Sequence, residues 1–167
     1  DIREFAFTPD GSRLVAFAIE PNRATPISSA SAMVFDMAQA TALSTNITAG
    51  GNFNTGIARL SSDKKRLFLS HKNWATRRLS VECLDHETGR RIWTANVGTH
   101  YGVSAMALSA DDRVLAVGTG FEVGTIHVLD TETGKLLTRL EGHTAWVGEV
   151  TFSRDGRWLA SAAADQT

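Results

Sequence analysis

The sequence contains little cysteine and no apolar run long enough to cross a membrane. Cys83 is the single cysteine among 167 residues, so no disulfide can form within the chain, and we interpret it as a packed small hydrophobe. The longest uncharged window, residues 37–58, is rich in Thr, Asn and Gly, which excludes a membrane span there. The formal net charge of −1 gives no field that would attract nucleic acid or an anionic membrane. We expect neither as a partner, and we expect a cytoplasmic location.

Short motifs of metal binding and catalysis are also missing from the sequence. The five histidines lie at positions 71, 86, 100, 127 and 143, and no two have the short spacing of a local metal site. There is no Gly-x-Ser-x-Gly, no phosphate-binding glycine loop and no His-Glu-x-x-His. We therefore expect no metal, no cofactor and no catalytic residue in this chain.

What the sequence does contain is a repeat of 44 to 53 residues. An apolar strand followed by Ser or Thr and then Asp occurs at 5–11, 57–63, 105–111 and 150–156. Periods of roughly 40–50 residues are typical of the four-stranded blades of β-propellers. We predict an all-β propeller of four-stranded antiparallel blades, incomplete at about three and a half blades.

Turn residues divide the units into strands, and no segment has the apolar period of a capped helix. The predicted strands of the second unit are 57–60, 66–70, 79–84 and 91–95, and those of the third are 103–108, 114–118, 125–129 and 136–140. The predicted blades are 1–44, 45–96 and 97–140, followed by a half blade at 141–167.

The last 28 residues carry a family resemblance. They contain a Gly-His pair ending at His143, a short apolar strand, an Asp-Gly turn, a second strand with Ser161, and a turn with Asp165. This order resembles the opening half of a WD repeat, and the Asp-Gly turns are similar to those of bacterial versions. The resemblance implies an internal piece of a longer propeller of about seven or eight blades. Completion of the ring by two or more chains is the alternative.

The WD-repeat resemblance also implies a role for three polar residues. His143, Ser161 and Asp165 match the family's buried hydrogen-bond network, which a tryptophan of the third strand completes, so we interpret them as structural and not as a catalytic triad. The first three units depart from this pattern, since their tryptophan position holds Phe35, Leu84 or Leu129. We therefore expect these three blades to be held by apolar packing.

A second resemblance supports a different class of propeller. Residues 85–93 are similar to the Thr-Gly-x-x-x-Trp docking repeat of quinoprotein propellers, whose enzymes bind pyrroloquinoline quinone. That alternative would make the chain a relative of such dehydrogenases or of outer-membrane assembly lipoproteins. In the third unit, however, the position of the tryptophan is occupied by Thr138.

The function that the sequence indicates is non-catalytic protein interaction. In a propeller, the connections after the second strand and between blades emerge on one face. Here they include residues 20–31 and 71–78, and an aromatic side chain beside arginines is typical of binding hot spots. We expect a protein or peptide partner, acidic or phosphorylated, and any catalytic module would lie outside these residues. The candidate contact residues are His71, Trp74, Arg77, Arg78, Tyr101 and Trp146.

A simpler interpretation of these candidates stays open. In it, Trp146 packs on its neighbour, as an aromatic residue often does at that position, and the arginines are merely solvated.

Overall fold

The described residues contain fourteen strands, in four sheets, and no helix. The computed structural model describes residues 2–8, 10–20, 29–36, 38, 41–45, 57–73, 76–99, 102–120 and 123–167. The first sheet has β1 (Ile2–Phe7), β2 (Arg13–Glu20), β3 (Ser29–Asp36) and β4 (Thr41–Thr45); the second has β5 (Ala58–Leu60), β6 (Arg66–Asn73), β7 (Arg78–Asp85) and β8 (Arg91–Thr99); the third has β9 (Val103–Leu108), β10 (Val114–Thr119), β11 (Gly124–Asp130) and β12 (Leu136–His143); the fourth has β13 (Val147–Phe152) and β14 (Leu159–Ala163).

Each sheet is an antiparallel meander in which strands that follow one another in sequence are neighbours. In the second sheet, Leu67 of β6 lies opposite Leu84 of β7, and in the third, Val117 of β10 lies opposite His127 of β11. These meanders confirm the predicted fold class, that of incomplete propeller blades.

A Ser–Asp turn joins the first two strands of each of the last three sheets. In the third sheet, the Ser109 hydroxyl donates to Asp111 Oδ1 at 2.6 Å and accepts from the Val114 amide at 3.0 Å. The Arg113 amide donates to the same carboxylate at 3.1 Å. The Ser109 hydroxyl and the Arg113 amide thus hold the pKa of Asp111 below its ordinary value. Equivalent contacts are made by Ser61 with Asp63 and by Ser153 with Asp155.

A second kind of turn joins the last two strands of the second and third sheets. In the third sheet, the amide and hydroxyl of Thr133 donate to Asp130 Oδ1 at 2.7 and 2.6 Å. Gly134 follows at a φ of 71°, a left-handed conformation in which glycine has no steric penalty. Thr88 and Asp85 make the same contacts in the second sheet.

The first strands of the four sheets are neighbours in space. β1 contacts β5, β5 contacts β9, and β9 contacts β13. Side chains from all four line one cavity of about 640 Å³, among them Phe7, Leu60, Met106 and Val150. These strands therefore surround a common space, as the inner strands of propeller blades do.

An apolar layer fills the contact between the second and third sheets. Phe68 and Val81 of the second sheet and Met106, Leu115 and Val117 of the third are fully buried in one cluster. Each such side chain contributes about 1.5–3 kcal/mol of burial free energy. The expected apolar packing is present in this contact.

Polar contacts accompany this apolar layer, and the sequence did not predict them. The Ser62 amide donates to Asp112 Oδ2 at 2.7 Å, and the Trp93 indole Nε1 donates to the Thr131 carbonyl oxygen at 3.0 Å. The Thr131 hydroxyl donates to the Asp112 carbonyl oxygen. Hydrogen bonds therefore join the turns of the second and third sheets as well.

The third and fourth sheets approach each other closely at two glycines. An added Cβ at Gly124 would lie 2.2 Å from the Ala145 carbonyl oxygen, and one at Gly118 would lie 3.0 Å from Val147 Cγ1. The Ser104 hydroxyl of β9 donates to the Val147 carbonyl oxygen of β13. The absence of a side chain at these glycines lets Val147 pack fully buried between the sheets.

The predicted connections are shorter in the structure. β6 continues to Asn73 and β7 begins at Arg78, so the connection placed at 71–78 is reduced to 74–77. β2 continues to Glu20 and β3 begins at Ser29, so most of the predicted insertion at 20–31, residues 21–28, lies outside the described residues. No long apolar helix able to cross a membrane is found in the part of the chain that the structure describes.

Candidate functional site

Three polar side chains named from the sequence meet at the edge between the third and fourth sheets. His143 ends β12, Ser161 lies in β14, and Asp165 lies in the turn after β14. The His143 Nε2 atom is 2.8 Å from Ser161 Oγ, and Nδ1 is 3.0 Å from Asp165 Oδ2. The imidazole ring therefore connects the end of the third sheet to two segments of the fourth.

The Asp165 carboxylate accepts further hydrogen bonds that the sequence did not predict. The Thr167 hydroxyl donates to Oδ1 at 2.7 Å, and the Thr144 amide donates to Oδ2 at 2.7 Å. The Thr167 hydroxyl is the largest cause that holds the pKa of Asp165 well below its usual range, and the Thr144 amide and His143 act in the same direction. Asp165 is thus a charged acceptor that joins residues 143–144 to the turn after β14.

Ser161, His143 and Asp165 contact one another in the same order as the residues of a hydrolytic triad. Whether they could act as one depends on the space around the serine. A triad needs an open pocket beside the serine that admits a substrate. Here the adjoining cavity has about 240 Å³, below the usual 300–1,000 Å³ of ligand sites, and Leu140 and Leu159 form part of its wall. A carboxylate bound by several backbone and side-chain donors, at a junction of strands, fits a structural network.

Two arginines predicted to contact a partner lie at one end of the second sheet. Arg77 adopts a φ of 56° in a tight turn in which the Thr76 amide donates to Asn73 Oδ1 at 3.0 Å. Arg78 begins β7 and lies opposite both Asn73 and Thr99. Both arginines are exposed. We call this end of the sheets the connection face; its described residues are 73, 76–78, 99, 102–103, 119–120, 123–124, 143–147 and 163–167.

Trp146 also lies on the connection face, immediately before β13. Its carbonyl oxygen accepts from the Ala164 amide at 3.1 Å, which fixes the backbone. An added Cβ at Gly148 would lie 3.6 Å from Trp146 Cζ3, so the indole ring rests beside that glycine. The ring nevertheless remains 45% exposed. Trp146 therefore combines a neighbour contact with a large accessible aromatic surface.

Of the remaining candidates, only His71 is among the described residues, and it lies inside a strand. His71 was placed on a connection, but it lies within β6, where Nδ1 is 4.0 Å from Glu82 Oε1 and the side chain is only 20% exposed. That placement was wrong because the antiparallel pairing of β6 with β7 continues to Asn73 and Arg78. Trp74 and Tyr101 lie outside the described residues.

The tryptophan of the docking-like motif at residues 85–93 lies in the contact between the second and third sheets. Trp93 packs against Phe68 with ring centroids 5.8 Å apart, and an added Cβ at Gly134 would lie 2.6 Å from the indole ring. The sequence resemblance pointed to Trp93, but it did not predict that the indole docks on Gly134 in the turn of the next sheet. Trp93 thus joins two sheets.

Metal binding has no candidate in the described part of the chain. Nowhere there do three or more His, Cys, Asp or Glu side chains lie close enough together to hold an ion. Cys83 is buried and unpaired with another cysteine, and burial raises the pKa of its thiol to about 12.

Comparison with known proteins relates the end of the chain to a repeat family. Residues 134–167 match the family "WD domain, G-beta repeat". The chain is 36% identical over 75 residues to WD repeat-containing protein 36 of Homo sapiens, covering 45% of this chain and 8% of that protein. It is 46% identical over 95 residues to nuclear distribution protein PAC1 of Arthroderma benhamiae, covering 53% and 21%. It is 50% identical over 44 residues to nuclear distribution protein PAC1-2 of Uncinocarpus reesii, covering 26% and 10%.

These similarities support the WD-repeat resemblance and, in general terms, a protein-interaction scaffold. The matched regions span about a tenth to a fifth of the length of these relatives. All three relatives are eukaryotic, so they give no support to the bacterial character expected from the turns. The quinoprotein alternative is not favoured either.

Proposed function

We propose that the connection face of this partial propeller binds a protein or peptide partner that is acidic or phosphorylated. The observation that carries the proposal is that Arg77, Arg78 and Trp146 are all exposed on this face. Guanidinium groups bind carboxylates and phosphates through paired hydrogen bonds, and exposed tryptophan is enriched at binding hot spots. The backbone of these residues takes part in strand pairing and turns, whereas their side chains are largely exposed to solvent.

On the connection face, the side chains that stabilise the fold are different from those that are free to contact a partner. His143 and Asp165 are occupied by each other and by neighbouring segments. Arg77 and Arg78 are solvent-exposed beside a turn whose shape is set by Asn73. A binding role for the arginines is therefore compatible with full stability of the sheets.

The charge test uses the double variant Arg77→Asn with Arg78→Gln. Asparagine tolerates the left-handed backbone at position 77 better than alanine does, so the turn should survive. Binding is measured on an array of equally long acidic, Ser/Thr-phosphorylated and basic peptides. We expect acidic and phosphorylated peptides to bind, and the double variant to lose at least about tenfold in affinity for them.

The matched control removes the same charge from the opposite ends of the sheets. Arg154 and Arg157 are exposed in the Ser–Asp turn of the fourth sheet. Arg154→Gln with Arg157→Gln should leave peptide binding unchanged. Equal losses in both double variants would indicate a nonspecific effect of net charge, and preferential capture of basic peptides would refute the proposed partner chemistry.

The aromatic contribution has its own variant. Trp146→Ala should weaken binding by about 2 kcal/mol or more if the indole is a hot spot. Its thermal unfolding should stay close to that of the wild type, because the ring is nearly half exposed. A fall in stability with unchanged peptide affinity would favour the simpler interpretation, in which Trp146 only packs on its neighbour.

A cytoplasmic location is part of the same proposal. The support is chemical: the one cysteine is buried as a free thiol, and nothing in the fold needs an oxidising compartment. A fluorescent fusion of the whole protein, viewed in its own cells, tests this location.

A further inference from the structure

The carboxyl group of Asp112 lies in the contact between the second and third sheets. Its Oδ2 atom accepts from the Ser62 amide at 2.7 Å, across a separation of fifty residues in sequence. Its carbonyl oxygen accepts from the Thr131 hydroxyl of a further turn. Its Oδ1 atom, however, is buried and has no hydrogen-bond partner among the described residues. This oxygen is thus enclosed with no donor at good hydrogen-bond geometry, which costs free energy, and the nearby Ser62 hydroxyl offsets only part of that cost.

The surroundings do not neutralise this charge. Burial is the largest effect on Asp112 and raises the pKa of its carboxyl group, and the like charge of Asp63 acts in the same direction. Contacts with Ser62 and the positive charge of Arg66 offset part of this effect. The other charged residues on the turns packed around Asp112 are Lys64, Lys65, Asp111, Arg113, Asp130, Glu132 and Lys135.

We propose that Asp112 is a protonation-sensitive joint, at which uptake of a proton tightens the contact between the second and third sheets. A group whose pKa is higher in the folded than in the unfolded state stabilises the fold when it is protonated. That stabilisation is present at low pH and is lost as the pH rises through the folded-state pKa. At neutral pH the ionised Asp112 is held by its Ser62 hydrogen bond, but the cost of burying its charge makes the contact less stable than it is with the protonated form.

The central test is Asp112→Asn, which cannot ionise. Asparagine retains an oxygen acceptor for the Ser62 amide and tolerates the φ of 59° at this position. We expect the unfolding midpoint of this variant to lie above that of the wild type at pH 7. The difference should shrink as the pH is lowered, because the wild-type carboxyl group then becomes neutral as well.

The neighbouring residue supplies a matched control of opposite sign. Asp111 is exposed, and the Ser109 hydroxyl and the Arg113 amide hold its pKa low. Asp111→Asn should therefore lower the unfolding midpoint at pH 7, and this loss should also shrink in acid. Two adjacent Asp→Asn changes with opposite effects at pH 7 would distinguish the joint from a general effect of removing negative charge.

A measurement on the wild-type chain keeps the proposal testable if a variant fails to fold. The side-chain carboxyl carbons of Asp112 and Asp111 are followed by NMR as the pH is lowered. Asp112 should titrate above the ordinary value of 3.8 and Asp111 below it. Titration of Asp112 at or below the ordinary value, or a lower midpoint of Asp112→Asn at pH 7, would overturn the proposal.

Discussion

Replacement of His143 by alanine would remove the side chain that joins the third and fourth sheets at their edge. The His143 side chain is 16% exposed, and its two shortest contacts are at 2.8 Å to Ser161 Oγ and at 3.0 Å to Asp165 Oδ2. After its removal Ser161 Oγ loses this contact, whereas Asp165 still accepts from Thr144 and Thr167. The change therefore leaves the Ser161 hydroxyl without its hydrogen bond to the ring, but it leaves no charged group unpaired.

The expected cost follows from these two contacts. A neutral hydrogen bond contributes about 0.5–1.5 kcal/mol and one to a charged group about 1.5–3 kcal/mol. Because the ring is slightly exposed, we expect His143→Ala to lower the free energy of unfolding by about 2 kcal/mol. Ser161→Ala deletes only the neutral contact and should cost about 1 kcal/mol.

The assay must locate the loss as well as measure it. Amide hydrogen exchange reports local opening, so in His143→Ala the protection of β13 and β14 should fall while that of β6 and β7 stays near the wild-type level. Chemical denaturation measures the total loss in the free energy of unfolding. A uniform loss of protection over all sheets, or a cost below about 0.5 kcal/mol, would refute the structural role assigned to this network.

Three further predictions concern the contacts between the sheets. Trp93→Phe should lower the free energy of unfolding by about 1 kcal/mol, because the hydrogen bond to the Thr131 carbonyl oxygen is lost. Trp93→Ala should lower it by about 2–4 kcal/mol, and both are measured by chemical denaturation. Equal losses in the two variants would contradict this docking. Gly124→Ala should destabilise by about 1–3 kcal/mol, because its Cβ would meet the Ala145 carbonyl oxygen, and an unchanged unfolding midpoint would exclude that close approach. Burial holds the pKa of His127 below 6.5, so the wild type should lose stability as the pH falls below that value, where the unfolded chain takes up the proton. His127→Phe should reduce this loss in thermal unfolding between pH 7 and pH 5, and identical pH dependence in both proteins would show that His127 is not responsible.

The repeat and most strands could be predicted because they depend on local chemistry. The Ser–Asp turn closes through contacts within five residues, as at Ser109 and Val114, and the Asp-x-x-Thr-Gly turn closes within four, from Asp130 to Gly134. Alternation and turn residues then define the strands between them. The proximity of His143, Ser161 and Asp165 was expected only through the family resemblance, since they lie up to 22 residues apart.

The ends of the strands at the connection face could not be predicted in the same way. Whether β6 stops at residue 70 or continues to Asn73 depends on pairing with β7, and no residue near Ser70 signals either outcome. His71 was therefore assigned to a connection, although the pairing holds it inside a sheet. The position at which a strand ends is set by the register of its pairing along the whole strand.

Sequence alone determined that this chain is a series of antiparallel β-sheets whose strands are joined by two kinds of turn, because each turn is closed by residues at most five positions apart. Tertiary structure alone decided what lies between the sheets. The indole of Trp93 rests on Gly134, and the carboxylate of Asp112 is enclosed beside Ser62, across separations of about forty to fifty residues. No local pattern encodes these contacts, because they form only when neighbouring sheets stack and exclude water from the space between them.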